Sequence, residues 1–247
     1  MKFTIITATL NAAATIRDCV HSVMEQQAPG LELEHLILDG GSTDGTLAAI
    51  RACNSPFVHI TAEPDSGVYH AFNRGLALAS GEVVAFLNAD DQYLPGALNA
   101  VAKAFDENTQ PSCIHGNIEV NGRVIRPRRG LFSLGGARIY HPAAFMRREL
   151  LTTAGGFDTR FRIAADLDLF LRARQLAPFL HLDRPLARFA LGGLSTRRFS
   201  PAQRELYAIM RKNDYSLPYA AFVTGAELLR SGGPFLIRSL TGTQGRV

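Results

Sequence analysis

The run Val83-Val84-Ala85-Phe86-Leu87 is apolar without alternation, and it ends abruptly in Asn88-Ala89-Asp90-Asp91. An uninterrupted apolar stretch of strand length reads as a strand covered on both faces, as in parallel sheets flanked by helices. Pro95 reads as the first turn of the helix that follows. Ligands of open α/β sheets bind beyond the carboxyl ends of the strands, so Asn88, Asp90 and Asp91 stand where a ligand is expected. Carboxylates there, with an amide oxygen two residues earlier, suit a hard divalent cation that keeps water and takes phosphate oxygens. A polar loop whose aspartates cap the next helix fits the same segment.

Upstream, the same grammar occurs twice. Phe3 to Thr9 reads as a strand, followed by a helix marked by Ile16, Val20, Val23 and Met24 and closed by Pro29-Gly30. His35 to Leu38 reads as a second buried strand, ending in Asp39-Gly40-Gly41-Ser42-Thr43-Asp44-Gly45-Thr46 before another helix. Two consecutive strand–loop–helix units predict a parallel sheet with right-handed crossovers. Asp44 reads as a helix N-cap. Asp39, last in its strand and followed by two glycines, can accept from a base N–H or ribose hydroxyls. No Gly-x-Gly-x-x-Gly follows the first strand, which argues against a dinucleotide oxidoreductase. Phe57 to Ile60 is a third short strand; a turn at Asp65-Ser66-Gly67 and a helix from Tyr69 to Ala79 come next. Leu98, Val101, Ala102 and Phe105 mark the helix after the acidic loop.

Beyond Pro111 the pattern turns antiparallel and mixed. Asn121-Gly122 between Ser112–Val120 and Arg123–Arg126 is a two-residue hairpin signal. Residues 127–140 read as a loop that could form a lid, and His141-Pro142 leads into a strand over Ala143–Met146. A helix over 163–174 has Ile163, Leu167, Phe170 and Leu171 on its apolar face, with Asp166 among them. A carboxylate left among apolar neighbours needs a partner or a task, so Asp166 is a candidate base. Asp168 pairs with Arg172 at i+4 in this reading, a surface arrangement worth about 0.3–0.5 kcal/mol. Phe179–Leu182 and Leu186–Leu191 read as two strands. The following Gly192-Gly193-Leu194-Ser195-Thr196-Arg197-Arg198 can wrap a diphosphate. Tyr219, Phe222, Val223, Ala226 and Leu229 mark an amphipathic helix that ends at Gly232-Gly233-Pro234 before a basic tail. Core packing and a membrane surface are both open for that stripe.

Charge divides with the pattern. Residues 1–120 hold 5 Lys and Arg against 14 Asp and Glu, a net of −9; residues 121–247 hold 21 against 8, a net of +13. The basic half is nearly all arginine, suited to phosphate. No helix-turn-helix, zinc-finger or aromatic RNA-binding signature accompanies it, so nucleic acid is not expected. Cys19, Cys53 and Cys113 are widely spaced and read as reduced core thiols. With no apolar run of spanning length and no basic-then-apolar leader, the expected location is cytoplasmic.

These pieces resemble inverting, nucleotide-sugar-dependent family 2 glycosyltransferases, especially those of bacterial surface-polysaccharide and lipid-linked glycan biosynthesis. The resemblance covers roughly residues 3–215. It runs through Ile5 to Asn11, Asp39 to Thr46, Asp65-Ser66-Gly67-Val68-Tyr69, Asn73-Arg74-Gly75 and Leu87-Asn88-Ala89-Asp90-Asp91. It continues in Gly155-Gly156-Phe157-Asp158, Ile163 to Asp168 and Gly192 to Thr196. The implied fold is α/β of the GT-A type: a nucleotide-binding α/β/α sandwich with a mostly parallel central sheet and a mixed second half. The implied organisation is one catalytic domain over 1–215, with a nucleotide-sugar half (1–110) and an acceptor half (111–215), then a C-terminal helix and basic tail (216–247).

By the resemblance, Thr7, Ala8, Thr9, Asn11, Asp39, Asp65, Gly67, Asn73, Asn88, Ala89 and Asp90 bind the nucleotide sugar. Asp90 holds Mn²⁺ or Mg²⁺ with Asp91 supporting, and Asp166 is the general base. Asp91, His141, Arg197 and Arg198 face the acceptor or the diphosphate. The implied partners are a nucleotide-diphosphate sugar donor, a glycan or lipid-linked acceptor, and an anionic membrane surface at the cytoplasmic face. The chain departs from the family's pattern where Asn88 replaces an Asp, Ala165 a Glu, and His70 and Asn117 an Asp. A nucleotidyltransferase and a non-catalytic nucleotide-sugar-binding subunit are the competing readings; the first should carry a glycine-rich basic loop after strand one, which Thr9-Leu10-Asn11-Ala12-Ala13 lacks.

Overall fold

The computed structural model describes residues 1–108, 111–127, 134, 139–190 and 199–240, with side chains followed as far as 228 apart from 199 and 200. It comprises two compact units, Met1–Leu191 and Gly192–Val247. The first runs β1 (Lys2–Thr9), α1 (Ile16–Met24), β2 (Glu32–Asp39), α2 (Thr46–Ala52), β3 (Val58–Ala62), α3 (Val68–Leu78), β4 (Val83–Phe86), β5 (Gln92–Tyr93) and α4 (Ala97–Glu107). It continues through β6 (Cys113–Val120), β7 (Arg123–Ile125), a 3-10 turn at His141–Ala143, β8 (Ala144–Arg147), α5 (Arg148–Thr153), α6 (Ala165–Leu176) and β9 (Phe179–Arg188).

The strands join one sheet in the order β3-β2-β1-β4-β8-β6-β9-β5, with β7 paired to β6. Strands β3, β2, β1 and β4 are parallel, as two strand–loop–helix units demand. Register pairs Thr9 with Asp39 and Ile6 with Phe86, so the carboxyl ends of three strands meet at one edge. Beyond β4 the sheet is mixed: β8 is antiparallel to β4 and β6, and β9 is parallel to β6.

Both faces of the parallel half are covered, which is why its strands carry continuous apolar runs. On one face Phe3, Ile5, Ile37, Val83 and Ala85 meet Val20 and Val23 of α1 and Leu98, Val101 and Phe105 of α4. On the other an aromatic cluster forms, with Phe72 of α3 against Phe86 at 4.9 Å and both against Phe157. Helix α3 lies unusually close to β1: a Cβ added at Gly75 would come 2.4 Å from Ile6 Cγ2. The hairpin signal holds, since Asn121 and Gly122 take positive φ (49° and 74°) between β6 and β7. All three cysteines are free and buried.

Four local expectations are corrected. Helix α4 begins after Gly96 in the left-handed region, not at Pro95. The two strands expected over 179–191 are one, β9, which passes Pro185 with a register shift and pairs with the unforeseen β5. Pro185 sits at the register shift opposite Asn117, the kind of irregularity where a strand tolerates a residue with no N–H to give. Helix α6 starts at Ala165, so Ile163 precedes it; Phe170 and Leu171 are buried as expected, but Ala165, Asp168, Leu169 and Ala173 are buried with them, while Asp166 and Leu167 are only partly buried. In the second unit, α7 (Phe199–Lys212) packs with α8 (Leu217–Leu240). The latter continues through Gly232-Gly233-Pro234, because a proline within a propagating helix takes one hydrogen bond without ending it.

Candidate active site

Four loops converge at the carboxyl edge. The β1–α1 and β2–α2 loops are stitched together: Asn11 N–H donates to Ser42 Oγ (2.8 Å), Thr43 N–H to Asn11 Oδ1 (2.9 Å), and Ala12 N–H to Thr46 Oγ1 (2.8 Å). Asn11 itself sits at φ 52°, which its short polar side chain tolerates. Asp44 accepts from Thr46 N–H (3.1 Å) and Ala13 N–H (3.0 Å), capping α2 from one residue before the Gly45 N-cap position.

Asp39 is only 1% exposed. Its carboxylate accepts from Gly41 N–H (3.0 Å), Ser42 N–H (2.9 Å) and the Ser42 hydroxyl, so it shapes its own loop. The Asp65 carboxylate lies against Gly40, where a Cβ would come 2.9 Å from Oδ2, and accepts Gly67 N–H (2.9 Å). The Thr7 side chain is enclosed, its hydroxyl 2.9 Å from His35 Nε2. Ala8 is partly exposed, and the buried Thr9 hydroxyl has no partner among the described residues. Asn73 is engaged by backbone at both ends of its amide, giving Nδ2–H to Phe157 O and taking Phe157 N–H, each at 2.9 Å. It clamps α3 to the turn that leads into α6.

The acidic loop separates its two aspartates by environment. Asp90 is partly exposed, and no hydrogen bond or ion pair reaches its carboxylate among the described residues. Asp91 is 1% exposed and held at both oxygens, by Ala190 N–H (3.0 Å) and Asn88 Nδ2–H (3.0 Å). Burial pushes its pKa up to about 6, against the pull of His141 and these donors. It anchors the end of β9 under the loop. Ala89, between Asn88 and Asp90, is buried. Asp90 is therefore the carboxylate available to a divalent cation; among the described residues no group of three or more His, Cys, Asp or Glu could hold one unaided.

Asp166, in the first turn of α6, reaches the same edge from the mixed half. Its side chain is 23% exposed. Oδ1 accepts Leu167 N–H at 2.9 Å and lies 3.4 Å from the Tyr69 hydroxyl, which donates to Ile163 O at 2.9 Å. Oδ2 lies 3.4 Å from His141 Nδ1, while His141 Nε2 is 3.1 Å from Asn88 Nδ2. Burial lowers the His141 pKa, but the Asp166 hydrogen bond and the surrounding carboxylates outweigh it and the net direction is up. Asp166, His141, Asn88 and Asp91 thus form one chain of contacts joining the two halves.

Asp168 is not on the surface. It is fully buried and pairs with Arg172 through Nε and Nη2, both at 2.8 Å. That guanidinium also donates to Ala154 O and Gly156 O, so the pair ties α6 to the end of α5. Asn117 is buried, its Oδ1 2.9 Å from His181 Nε2 and its Nδ2 donating to Asp183 (3.0 Å), where an aspartate would face a second carboxylate. Arg197, Arg198 and the Gly192–Thr196 loop lie outside the described residues. Tyr69 and the Asn88–His141 bridge were missed as site features, since their partners lie 97 and 53 residues away.

A parallel half with an acidic motif at its carboxyl edge, joined to a mixed half that presents a carboxylate at a helix start, defines a glycosyltransferase of the GT-A fold. Solved structures agree in fold. The chain superposes on S. aureus TarS 1–349 in complex with UDP-GlcNAc with a TM-score of 0.71 at 22% identity, covering 95% of this chain and 73% of that one. For the mannosyltransferase PcManGT from Pyrobaculum calidifontis in complex with GDP-Man and Mn²⁺ the TM-score is 0.70 at 22% identity, covering 98% and 76%. The chain belongs to glycosyl transferase family 2, whose model matches residues 4–163. A PGL/p-HBAD biosynthesis glycosyltransferase of Mycobacterium tuberculosis is 38% identical over 178 residues, 69% of this chain and 68% of that protein. Chondroitin synthase of Pasteurella multocida is 28% identical over 204 residues, 75% of this chain and 20% of that protein.

Proposed function

We propose that this glycosyltransferase moves a sugar, with inversion, from a nucleotide-diphosphate donor to a hydroxyl of a glycan or lipid-linked acceptor. The observation that carries the reading is the pairing of Asp90, a carboxylate unengaged among the described residues, with a partly exposed one, Asp166, at a single sheet edge. Asp166 takes the acceptor proton as the hydroxyl oxygen bonds to the anomeric carbon. The carbon–oxygen bond to the diphosphate breaks on the opposite face, and the diphosphate leaves with the electron pair. A general base of this kind is worth roughly 10²–10⁴ in rate. Asp90 would hold Mn²⁺ or Mg²⁺, and the ion would supply neutralising charge to the leaving diphosphate. Asn11, Asp39, Asp65 and Gly67 frame the nucleotide end of the pocket, with Thr7 and Asn73 acting from behind its wall.

The fold neighbours in complex with UDP-GlcNAc and with GDP-Man and Mn²⁺, and the relatives that serve PGL/p-HBAD biosynthesis and chondroitin synthesis, support donor, ion and acceptor class. A location at the cytoplasmic face of a membrane is part of the same reading, supported by the basic second half. The test is a screen of UDP-, GDP- and dTDP-sugars for metal-dependent release of the nucleoside diphosphate. Wild type should turn over one donor, whereas Asp90→Ala should lose its metal dependence and nearly all activity. Asp166→Asn should lower turnover by at least about 10² while donor affinity holds. Full turnover in excess EDTA, or by Asp166→Asn, overturns the corresponding assignment. Donor binding without any turnover would favour the non-catalytic subunit instead.

A further inference from the structure

The contact chain between the two halves has a directional logic that fixes where its protons lie. Asn88 Nδ2 carries two hydrogens and no lone pair to offer. One points at Asp91 Oδ2 (3.0 Å), the other at His141 Nε2 (3.1 Å). The amide cannot be reversed without setting its oxygen against the Asp91 carboxylate, which Ala190 N–H holds in place at 3.0 Å. His141 Nε2 must therefore accept, and in the neutral ring the single proton sits on Nδ1. Nδ1 is the nitrogen 3.4 Å from Asp166 Oδ2. That distance is long for a hydrogen bond, a spacing common at catalytic carboxylates before the reacting groups are bound. The ring has little freedom to turn away: its side chain is 18% exposed, it begins the rigid 3-10 turn at Pro142, and it packs 6.4 Å from the Phe72 ring.

We propose that His141 is a positioning residue for the base: Asp91, through the Asn88 amide, sets the His141 tautomer so that Nδ1–H holds Asp166 Oδ2 in the orientation that receives the acceptor proton. The inference rests on Asp166 being the base and gives the Asn at position 88 a task. A carboxylate there would ask for a proton on Nε2, leaving a doubly protonated ring beside Asp166 that competes for its electron pair. The amide asks for none, so the proton that faces Asp166 stays on Nδ1 and Nε2 is not called on to carry a second. The same bridge ties the position of the base to the loop bearing Asp90, so that the groups for attack and departure are held by one connected set of side chains.

The test uses the full chain and two near-isosteric replacements that divide the ring. His141→Asn places an N–H near Nδ1 and abandons Asn88; His141→Gln reaches toward Asn88 and abandons Asp166. Turnover is read as release of UDP, or of the nucleoside diphosphate found in the donor screen, with water as acceptor. Affinity for UDP with Mn²⁺ is read by calorimetry and integrity by thermal melting. His141→Gln should lower kcat by about 10- to 100-fold, the scale on which misplacing a reacting group acts, and His141→Asn should recover much of that loss. UDP·Mn²⁺ affinity should stay near wild type in both. In an Asp166→Asn background, His141→Gln should cause no further fall, because residues acting as a unit are not additive. Wild-type kcat in His141→Gln, or recovery by Gln instead of Asn, overturns the proposal while leaving Asp166 as base. An undiminished kcat in Asp166→Asn overturns both.

Discussion

Asp166 and Asp168 are two residues apart on one helix, and their surroundings give them opposite tasks. Asp166 keeps 23% of its side chain exposed, as the proposed role of base requires, whereas Asp168 is sealed against Arg172. Breaking a buried pair by removing one partner leaves an uncompensated charge and costs about 3–5 kcal/mol. Asp168→Ala should therefore lower unfolding stability on that scale in urea titration, far beyond the few tenths expected of a surface pair. Whatever fraction stays folded should keep its donor affinity, since the pair lies behind α6 against the end of α5. A change in urea midpoint no larger than that of an exposed control, such as Lys103→Ala, would show that Arg172 alone holds that turn. Sequence periodicity pointed to Asp166 for a reason that does not hold: the apolar stripe was phased from Ile163, which precedes the helix. The residue survives as the candidate because Tyr69 and His141 reach it, not because of the stripe.

At the scale of elements, α3 decides how closely the two halves of the site can approach. Its first turn follows Asp65 and Gly67, its Tyr69 reaches Asp166, and its Asn73 clamps the turn at Phe157. All three need the helix pressed onto β1 and β2, and Gly75 is what permits it. A Cβ there would overlap Ile6 and crowd Leu38, at 2.4 and 3.1 Å from their methyls. Gly75→Ala should cost about 1–3 kcal/mol through overpacking, despite the better helix propensity of alanine. Because the helix must lift, kcat should fall with it in folded protein. Gly75→Ala combined with Ile6→Ala, which removes the Cγ2 methyl that valine would keep, should regain part of the lost turnover in the protein that stays folded. A stabilised single variant would mean that α3 has room to spare.

For the whole molecule, the charge asymmetry is the feature that the fold does not consume. The basic half, 121–247, carries +13, and within the second unit Leu217 and Phe222 of α8 are 58% and 54% exposed while Val223 is buried. Among the described residues no helix is long and apolar enough to cross a membrane. Basic residues near an anionic surface contribute about 1 kcal/mol each, and exposed aromatic or aliphatic residues add burial in the interface. The protein should co-sediment with vesicles containing anionic lipid and not with neutral ones, with the bound fraction falling as salt rises. Phe222→Ser should reduce binding without changing donor affinity. Indifference to anionic vesicles at low salt would assign the arginines to the acceptor instead.

The sequence by itself determined the parallel half, because a strand covered on both faces must be apolar throughout, and its loops must then carry the polar residues at one edge. Thus Asp39 and Asp90 were legible as edge residues, and Asp65-Ser66-Gly67 and Asn121-Gly122 as turns, from local pattern alone. Whether a carboxylate at that edge is free or engaged was not legible, since Asp90 and Asp91 are adjacent and alike on paper. Only folding brings Asn88 and Ala190 to Asp91 and leaves Asp90 without a partner among the described residues. The tertiary structure likewise decided the mixed half, where β5 is two residues long and exists only because β9 lies beside it. It also decided the His141 bridge, whose ends are 53 residues apart in one direction and 25 in the other. Short-range propensity reports only what a residue's own neighbours impose. A buried ion pair, a two-residue strand and a tautomer are imposed by residues that the chain brings close only once it has closed on itself.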